Sequence, residues 1–310
     1  MKKIAVLYAG LVRDYKICFD SFKKNIVATN PDYKFEYFLC LWDHTHPTIE
    51  EHKNIEVMPI NEKKVLTYFN PRAHLVLDYR EQKKVFSNGK EYDEIHQQKT
   101  VSTYSKERFI NTFLMQMYGL KKCFEIFQEH STEYDYILKN RFDFFYYKPC
   151  LIPTEELESD KIYVLNIKNE RGFVDNICLG KHRPMEIFMN TYDRLTDTSW
   201  PPPRVYIPRH QKEIYRPFFP GRNYKRRPHG YSKWMEPSKK SDSHQIEVTP
   251  QPVTCSTMLD SPESTFEINL RSNNVEIYKS LSWPTWKYGA HIPPGLTQWP
   301  TPIHRLSLSP

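Results

Sequence analysis

Charged residues interrupt an otherwise apolar stretch in YDYILKNRFDFFYY, Tyr134 to Tyr147. The run Tyr136-Ile137-Leu138 has the composition of a buried strand. Lys139, Asn140, Arg141 and Asp143 follow, and Phe144 to Tyr147 restore the apolar character. An unpaired charge is costly to bury. Polar groups at the end of an interior strand therefore tend to face a cleft, and ligands of open α/β sheets bind outside the carboxyl ends of strands. A carboxylate placed there could hold a divalent metal, and the metal could hold a diphosphate. The same spacing also allows a plain Arg141–Asp143 ion pair, since residues two apart share one face of a strand.

Two other apolar runs end in residues with chemical potential. KIAVLYA, Lys3 to Ala9, reaches Gly10, with Arg13 and Asp14 just beyond. A buried parallel strand has this pattern, and Gly10 lets the backbone turn sharply or approach a ligand closely. KFEYFLCLW, Lys34 to Trp42, is a second strand that runs into Asp43-His44-Thr45-His46. An H-x-H on a strand puts both imidazoles on one face, as some metal sites do. No third or fourth ligand is identifiable, and Pro47 favours a loop, so a metal centre there is the weaker reading.

The elements that must position these residues alternate. Ile17, Cys18, Phe22, Ile26 and Val27 predict a helix over Tyr15 to Ala28, closed by the turn Asn30-Pro31-Asp32. A third short strand is expected over Asn54 to Ile60. The β-α-β succession with short turns argues for a parallel α/β sheet. Tyr79 to Lys99 is polar and mostly charged and reads as an exposed loop or mobile flap. Ser105 to Glu129 is the clearest helix, with Phe109, Phe113, Met117, Leu120, Phe124 and Phe127 on one broad apolar face. Ser105 can serve as its N-cap. Lys161 to Ile167 reads as a strand, and Phe173 to Leu179 as a short strand or loop. Pro184 opens a helix that runs to about Leu195.

At 310 residues the chain suits one large domain, or one domain with an appendage. Apolar content is only 39%, but 21 Tyr and 18 Phe can still build a sizeable core. No apolar run approaches the roughly eighteen residues of a membrane span. The apolar part of the N-terminus, Ile4 to Leu7, is too short for a signal-peptide core. The six cysteines contain no CxxC pair, which argues against a zinc site and a disulfide framework. Buried, reduced cysteines in a cytoplasmic protein are the simplest account. The net charge of +7 is concentrated: Pro203 to Lys240 holds eleven Lys or Arg against two Glu. Proline is concentrated too, with 17 of 24 after Trp200. NYKRRPHGYSK, Asn223 to Lys233, interleaves basic and aromatic residues, a mix that binds phosphates or nucleic acid in some proteins and forms solvated linkers in others.

Taken in order, several of these segments resemble a family of viral and bacterial glycosyltransferase-like proteins with a GT-A type nucleotide-sugar-binding fold. They are YAGLVRDY (Tyr8 to Tyr15), the strand ending in Leu41-Trp42-Asp43, and YDYILKNRFDFFY, where an Arg-x-Asp stands in place of Asp-x-Asp. GFVDNICLGKHRPMEIF, Gly172 to Phe188, is similar to the segment that follows there, and SPESTFEINLRSNNVEIYKS, Ser261 to Ser280, looks like the family's closing helix and strand. The resemblance implies a catalytic domain over residues 1–198 and a basic, Pro-rich insertion or loop over 199–258. A closing helix and strand would span 259–282, with an irregular tail over 283–310.

It also implies roles by position. Gly10 and Arg13 would line the nucleotide diphosphate, the glycine by close backbone approach and the arginine by paired hydrogen bonds. For Arg13 the other reading is a solvated residue at a helix start. Asp43 would contact the nucleoside or a sugar hydroxyl, or else serve as an N-cap or loop residue. Asp143 would bind Mg²⁺ or Mn²⁺, with Arg141 able to do part of that work itself, and one carboxylate fewer than Asp-x-Asp weakens the metal site. Asp175 is the candidate general base for the acceptor hydroxyl, or a turn cap, and a retaining transfer needs no such base. The implied activity is transfer of a sugar from a nucleotide-sugar to a glycan, lipid or protein acceptor, in the cytoplasm, or the host cytoplasm for a viral protein. A different class stays open: a non-catalytic binding protein on a degenerate α/β scaffold, contacting nucleic acid or anionic surfaces through residues 203–240.

Overall fold

Strand β1 (Lys2–Gly10) lies at the middle of the fold, and its residues Ile4 to Tyr8 are all buried. Alternation along it feeds two cores. Ile4, Val6 and Tyr8 point into one apolar cluster, and Ala5 and Leu7 point into the other. A strand buried on both faces needs a continuous apolar run, which KIAVLYA supplies. The computed structural model describes residues 1–45, 58–90, 92–93, 95, 106–152, 157–165, 176–197, 262–281 and 285–287.

On one side β1 pairs in parallel with β2 (Tyr33–Trp42), and β2 pairs in parallel with β5 (Ala73–Leu77). On its other side β1 pairs in parallel with β6 (Tyr136–Asn140). Strand β9 (Cys178–Gly180) runs antiparallel to both β6 and β8 (Lys161–Leu165), and β10 (Glu276–Leu281) closes the sheet parallel to β8. The order is β10-β8-β9-β6-β1-β2-β5: seven strands, mostly parallel, with β9 reversed.

Helices cover both faces. Helix α1 (Tyr15–Phe22), continued by a π-helical turn at Lys23–Val27, packs Phe19, Phe22 and Ile26 on one face together with Val65 and Phe69 of α2 (Glu62–Phe69). Helix α4 (Met115–Gln128) covers the other face with Met117, Leu120, Cys123, Phe124 and Phe127. It is entered through a helical turn at Lys106–Phe109 and a π-helical turn at Ile110–Leu114. Helices α5 (His182–Met189), α6 (Thr191–Thr196) and α7 (Pro262–Ser272) extend that layer through Met185, Phe188, Leu195, Phe266 and Leu270. Pro184 sits in the first turn of α5, where its missing N–H costs nothing. Among the described residues no helix is long and apolar enough to cross a membrane.

Two expectations are corrected. The described part of Tyr79 to Lys99 is not an exposed loop: it opens with α3 (Tyr79–Asn88), whose Tyr79 and Phe86 are buried, and Tyr92 and Ile95 also enter the core, while residues 91, 94 and 96–99 lie outside the described residues. Asp78 caps α3 by accepting from the Glu81 N–H at 2.8 Å. The strand expected over Asn54 to Ile60 is, among the described residues, only β4 (Met58–Pro59), exposed and paired antiparallel with β3 (His44–Thr45). The third parallel strand is β5, after the Asn70-Pro71 turn. Ser105, Phe173, Asp175, the basic segment 203–240 and most of the expected tail lie outside the described residues.

Candidate functional site

The chain moves outward from β1 through β2 to β5, then crosses back over β1 to β6. The connections that leave the carboxyl ends of the adjacent strands β1 and β6 therefore run in opposite directions. Open α/β sheets bind ligands at such a switch point, which lies here between the ends of β1 and β6.

Gly10 ends β1 at φ 122°, and nothing described lies within 4 Å of where a Cβ would sit. Only glycine adopts that backbone readily, so the turn and the open space above it go together. Asp14, just before α1, has φ 45° and ψ 22°. Left-handed backbone at a non-glycine residue stores strain, and such residues gather at functional sites. Between them, Val12 is buried and its carbonyl accepts from Thr45 Oγ1 at 2.8 Å, which fixes the β1–α1 loop against β3.

Strand β6 ends at Asn140, and Arg141 to Asp143 form a turn before β7 (Phe144–Tyr146). The Arg141–Asp143 pair exists, but it forms within this turn rather than along one face of a strand. Arg141 Nε donates to Asp143 Oδ1 at 2.8 Å and Nη2 to Oδ2 at 2.9 Å. This is the two-pronged geometry that makes guanidinium–carboxylate pairs strong. Arg141 Nη1 donates to Asn176 Oδ1 at 3.2 Å, and the guanidinium lies 5.9 Å from the Phe144 ring. From the β1 side, Arg13 Nη1 comes within 3.9 Å of Asp143 Oδ2. The two arginines thus reach one carboxylate from opposite sides of the switch point. Asp143 is 3% exposed. Burial pushes the Arg13 guanidinium down from its ordinary value; Asp143 opposes that shift and Arg141 adds to it.

Asn140, 1% exposed, is the hub under this turn. Its Nδ2 donates to Tyr8 Oη at 2.9 Å, and its Oδ1 accepts from Tyr146 Oη at 3.0 Å and from the Arg141 N–H at 2.8 Å. Register makes the first contact possible, because Tyr8 and Asn140 face each other across β1 and β6. Burial, before anything else, pushes both phenols well above their ordinary values, so both stay protonated, Tyr146 donating to Asn140 and Tyr8 accepting from it. Ser21 Oγ accepts from the Tyr146 N–H at 3.0 Å, and Asn25 Nδ2 donates to the Tyr146 carbonyl at 2.6 Å. Helix α1 is thereby tied to the strand that follows the turn.

Of the residues singled out from the sequence, Gly10, Arg13, Arg141 and Asp143 come together. Asp43 follows β2 and turns toward α3. Its Oδ1 accepts from the Tyr79 N–H at 2.8 Å and lies 2.8 Å from His44 Nδ1. That is the helix-terminus role, though its side chain keeps 33% exposure on the cleft side of the sheet. Asp175 lies outside the described residues, but its neighbour Asn176 holds Arg141. His46 is also outside them. Asn140 is noted in the sequence only as one of the polar residues closing an apolar strand, with no role of its own, and Tyr8, Tyr146 and Asn176 are not singled out as site residues; an asparagine at the end of an apolar strand, a residue type strands disfavour, is the signal for the first.

A divalent cation does not fit Asp143 as it is held. Mg²⁺ demands octahedral oxygen ligands at about 2.0–2.1 Å and usually keeps several waters. Both Asp143 oxygens are taken by Arg141, and the group is nearly sealed from solvent. No group of three or more His, Cys, Asp or Glu able to hold a metal occurs among the described residues. Around that carboxylate, two guanidiniums, a glycine turn and the N-terminus of α1 stand near the ends of β1 and β6, and donors of this kind could meet an anion. Asp14 is exposed, so water screens its opposing charge. The chain matches no family model and no curated protein.

Proposed function

We propose that this protein is a glycosyltransferase with a GT-A-like sheet, moving a sugar from a nucleotide-sugar to an acceptor hydroxyl on a glycan, lipid or protein. The observation that carries this reading is the meeting of Arg13 and Arg141 on Asp143, beside Gly10, at the switch point. The sheet adds support. Its strands β5-β2-β1-β6 follow the nucleotide-binding half of a doubly wound fold, whereas the half containing reversed β9 departs from the all-parallel arrangement of a dinucleotide site.

Transfer breaks the bond from the sugar's anomeric carbon to a phosphate oxygen and joins that carbon to the acceptor oxygen. The electron pair of the broken bond stays on the departing diphosphate. Guanidiniums held in place beside that charge would stabilise it as it develops. With inversion, the acceptor proton goes to a protein base, the role proposed for Asp175. With retention, the leaving diphosphate can take it. Asp43 would meet the nucleoside or a sugar hydroxyl through whatever its bond to α3 leaves available.

The test is donor binding. UDP-, GDP-, CMP- and dTDP-sugars are titrated into the full chain by calorimetry and thermal shift. A ligand at a hundred times its Kd stabilises a protein by about 2.7 kcal/mol, so even weak binding registers. Response to one nucleotide class, with release of the free nucleotide when an acceptor is added, is the expected result. Silence across the panel from folded protein overturns the reading. Polyanion binding that falls steeply with salt would then favour the binding-protein alternative.

A further inference from the structure

The Arg-x-Asp turn places a carboxylate where a metal ligand would be looked for, yet that carboxylate is already committed. Its two oxygens accept from Arg141 at 2.8 and 2.9 Å, and Arg13 approaches Oδ2 at 3.9 Å. The bidentate pair uses one in-plane lone pair on each oxygen, and Arg13 stands near the outer side of Oδ2, so a cation would have to enter beside two guanidiniums. Two guanidiniums already stand at the carboxylate, and a divalent ion entering between them would meet repulsion from both. Asn140 and Asn176 hold Arg141 from its backbone and from its Nη1, so the guanidinium is not easily swung aside.

We propose that the donor's diphosphate is bound and stabilised by Arg13 and Arg141 without a divalent cation, and that Asp143 is a positioning residue that holds both guanidiniums. The inference rests on the glycosyltransferase reading above. Its chemistry follows from the arginines: a guanidinium is a permanent cation with a planar fork of donors that matches phosphate oxygens. One arginine comes from each side of the switch point, so the pair can take one phosphoryl group each. The Gly10 backbone, open at the same switch point, allows the pyrophosphate to come close.

The experiment titrates UDP, GDP and dTDP into the full chain by calorimetry, once in EDTA and once in Mn²⁺. Electron paramagnetic resonance follows Mn²⁺ binding to the protein alone. The expected result is that one nucleoside diphosphate binds in EDTA with an affinity within about threefold of that in Mn²⁺, or tighter. No stoichiometric Mn²⁺ site is expected without nucleotide. Arg141→Gln and Arg13→Gln each weaken binding roughly ten- to a hundredfold in both buffers, the loss of one charge-assisted contact. Binding by the unaltered protein that requires Mn²⁺ and vanishes in EDTA overturns the inference and leaves the donor reading intact. Absence of binding in both buffers, from folded protein, overturns both.

Discussion

Replacing Asn140 by alanine strikes the point where fold and candidate site are joined. The asparagine is 1% exposed and makes three hydrogen bonds, to Tyr8 Oη, Tyr146 Oη and the Arg141 N–H. Alanine removes all three and orphans two donors, the Tyr146 hydroxyl and the Arg141 N–H, beneath the turn. Each unsatisfied buried group costs about 1–3 kcal/mol, so the loss should be roughly 2–5 kcal/mol, with a water entering the vacated space bringing it toward the lower end. Against a typical total of about 5–15 kcal/mol that is a large share, and it reads directly as a lowered midpoint in urea unfolding. Tyr146→Phe alone should cost only about 1 kcal/mol, because Asn140 Oδ1 keeps the Arg141 N–H. In the Asn140→Ala background the same change deletes an orphaned hydroxyl and should be neutral or stabilising. That non-additivity is the signature of a shared network. Two results would refute the hub: a loss below about 1 kcal/mol for Asn140→Ala, or single losses that simply add in the double variant.

Gly10→Ala tests the backbone at the switch point separately. Nothing described lies near the new methyl group, so the cost comes only from holding alanine at φ 122°, roughly 1–3 kcal/mol by thermal or urea unfolding; an unchanged midpoint would mean the turn relaxes freely. The third prediction concerns acid. Hydrogen bonds from Lys34 and then Tyr134, the latter at 2.5 Å, hold the Glu36 carboxyl below its ordinary value of 4.5. A depressed folded value means this stabilisation is full above about pH 4.5 and is lost as pH falls through the lower, folded value. Glu36→Gln should therefore be less stable than the parent near pH 6 and converge with it in acid, and equal stability of the two at pH 6 would refute the coupling.

The parts of the fold legible in the sequence were those where one physical signal dominated. Continuous apolar runs located β1, β2 and β6, because strands covered on both faces leave no alternation to decode. Six apolar residues at helical spacing located α4 and the two helical turns that lead into it. Strand β5 and helix α3 escaped for opposite reasons. Ala73 to Leu77 is a short edge strand carrying His74 and following Arg72, so its composition resembles the loops around it. Helix α3 is polar at most positions, and only Tyr79 and Phe86, two turns apart, anchor it in the core. Its stability comes from that packing and from two carboxylates, Asp78 and Asp43, at its N-terminus, and tertiary partners of this kind leave no periodicity in the sequence.

The candidate site divides in the same way. Residue types and spacing brought Gly10, Arg13, Arg141 and Asp143 to attention, because polar groups closing apolar strands have few inexpensive places to go. Their partners were not legible. Spacing of two is compatible with a strand face or with a turn, and only the point where β6 stops, at Asn140, decides between them. That stop is itself a long-range event: Asn140 bonds to Tyr8, 132 residues earlier, and to Tyr146 beyond the turn. Once the turn forms, Arg141 folds back onto Asp143 within its own segment, and Arg13 arrives from the loop after β1. The arginine that sequence alone would treat as an auxiliary to a metal-binding carboxylate becomes the group that occupies it. On the metal-free reading proposed above, the chemistry of the site is set by cations covalently fixed to the chain, and its strength should depend on the Asn140 hub rather than on the concentration of any metal.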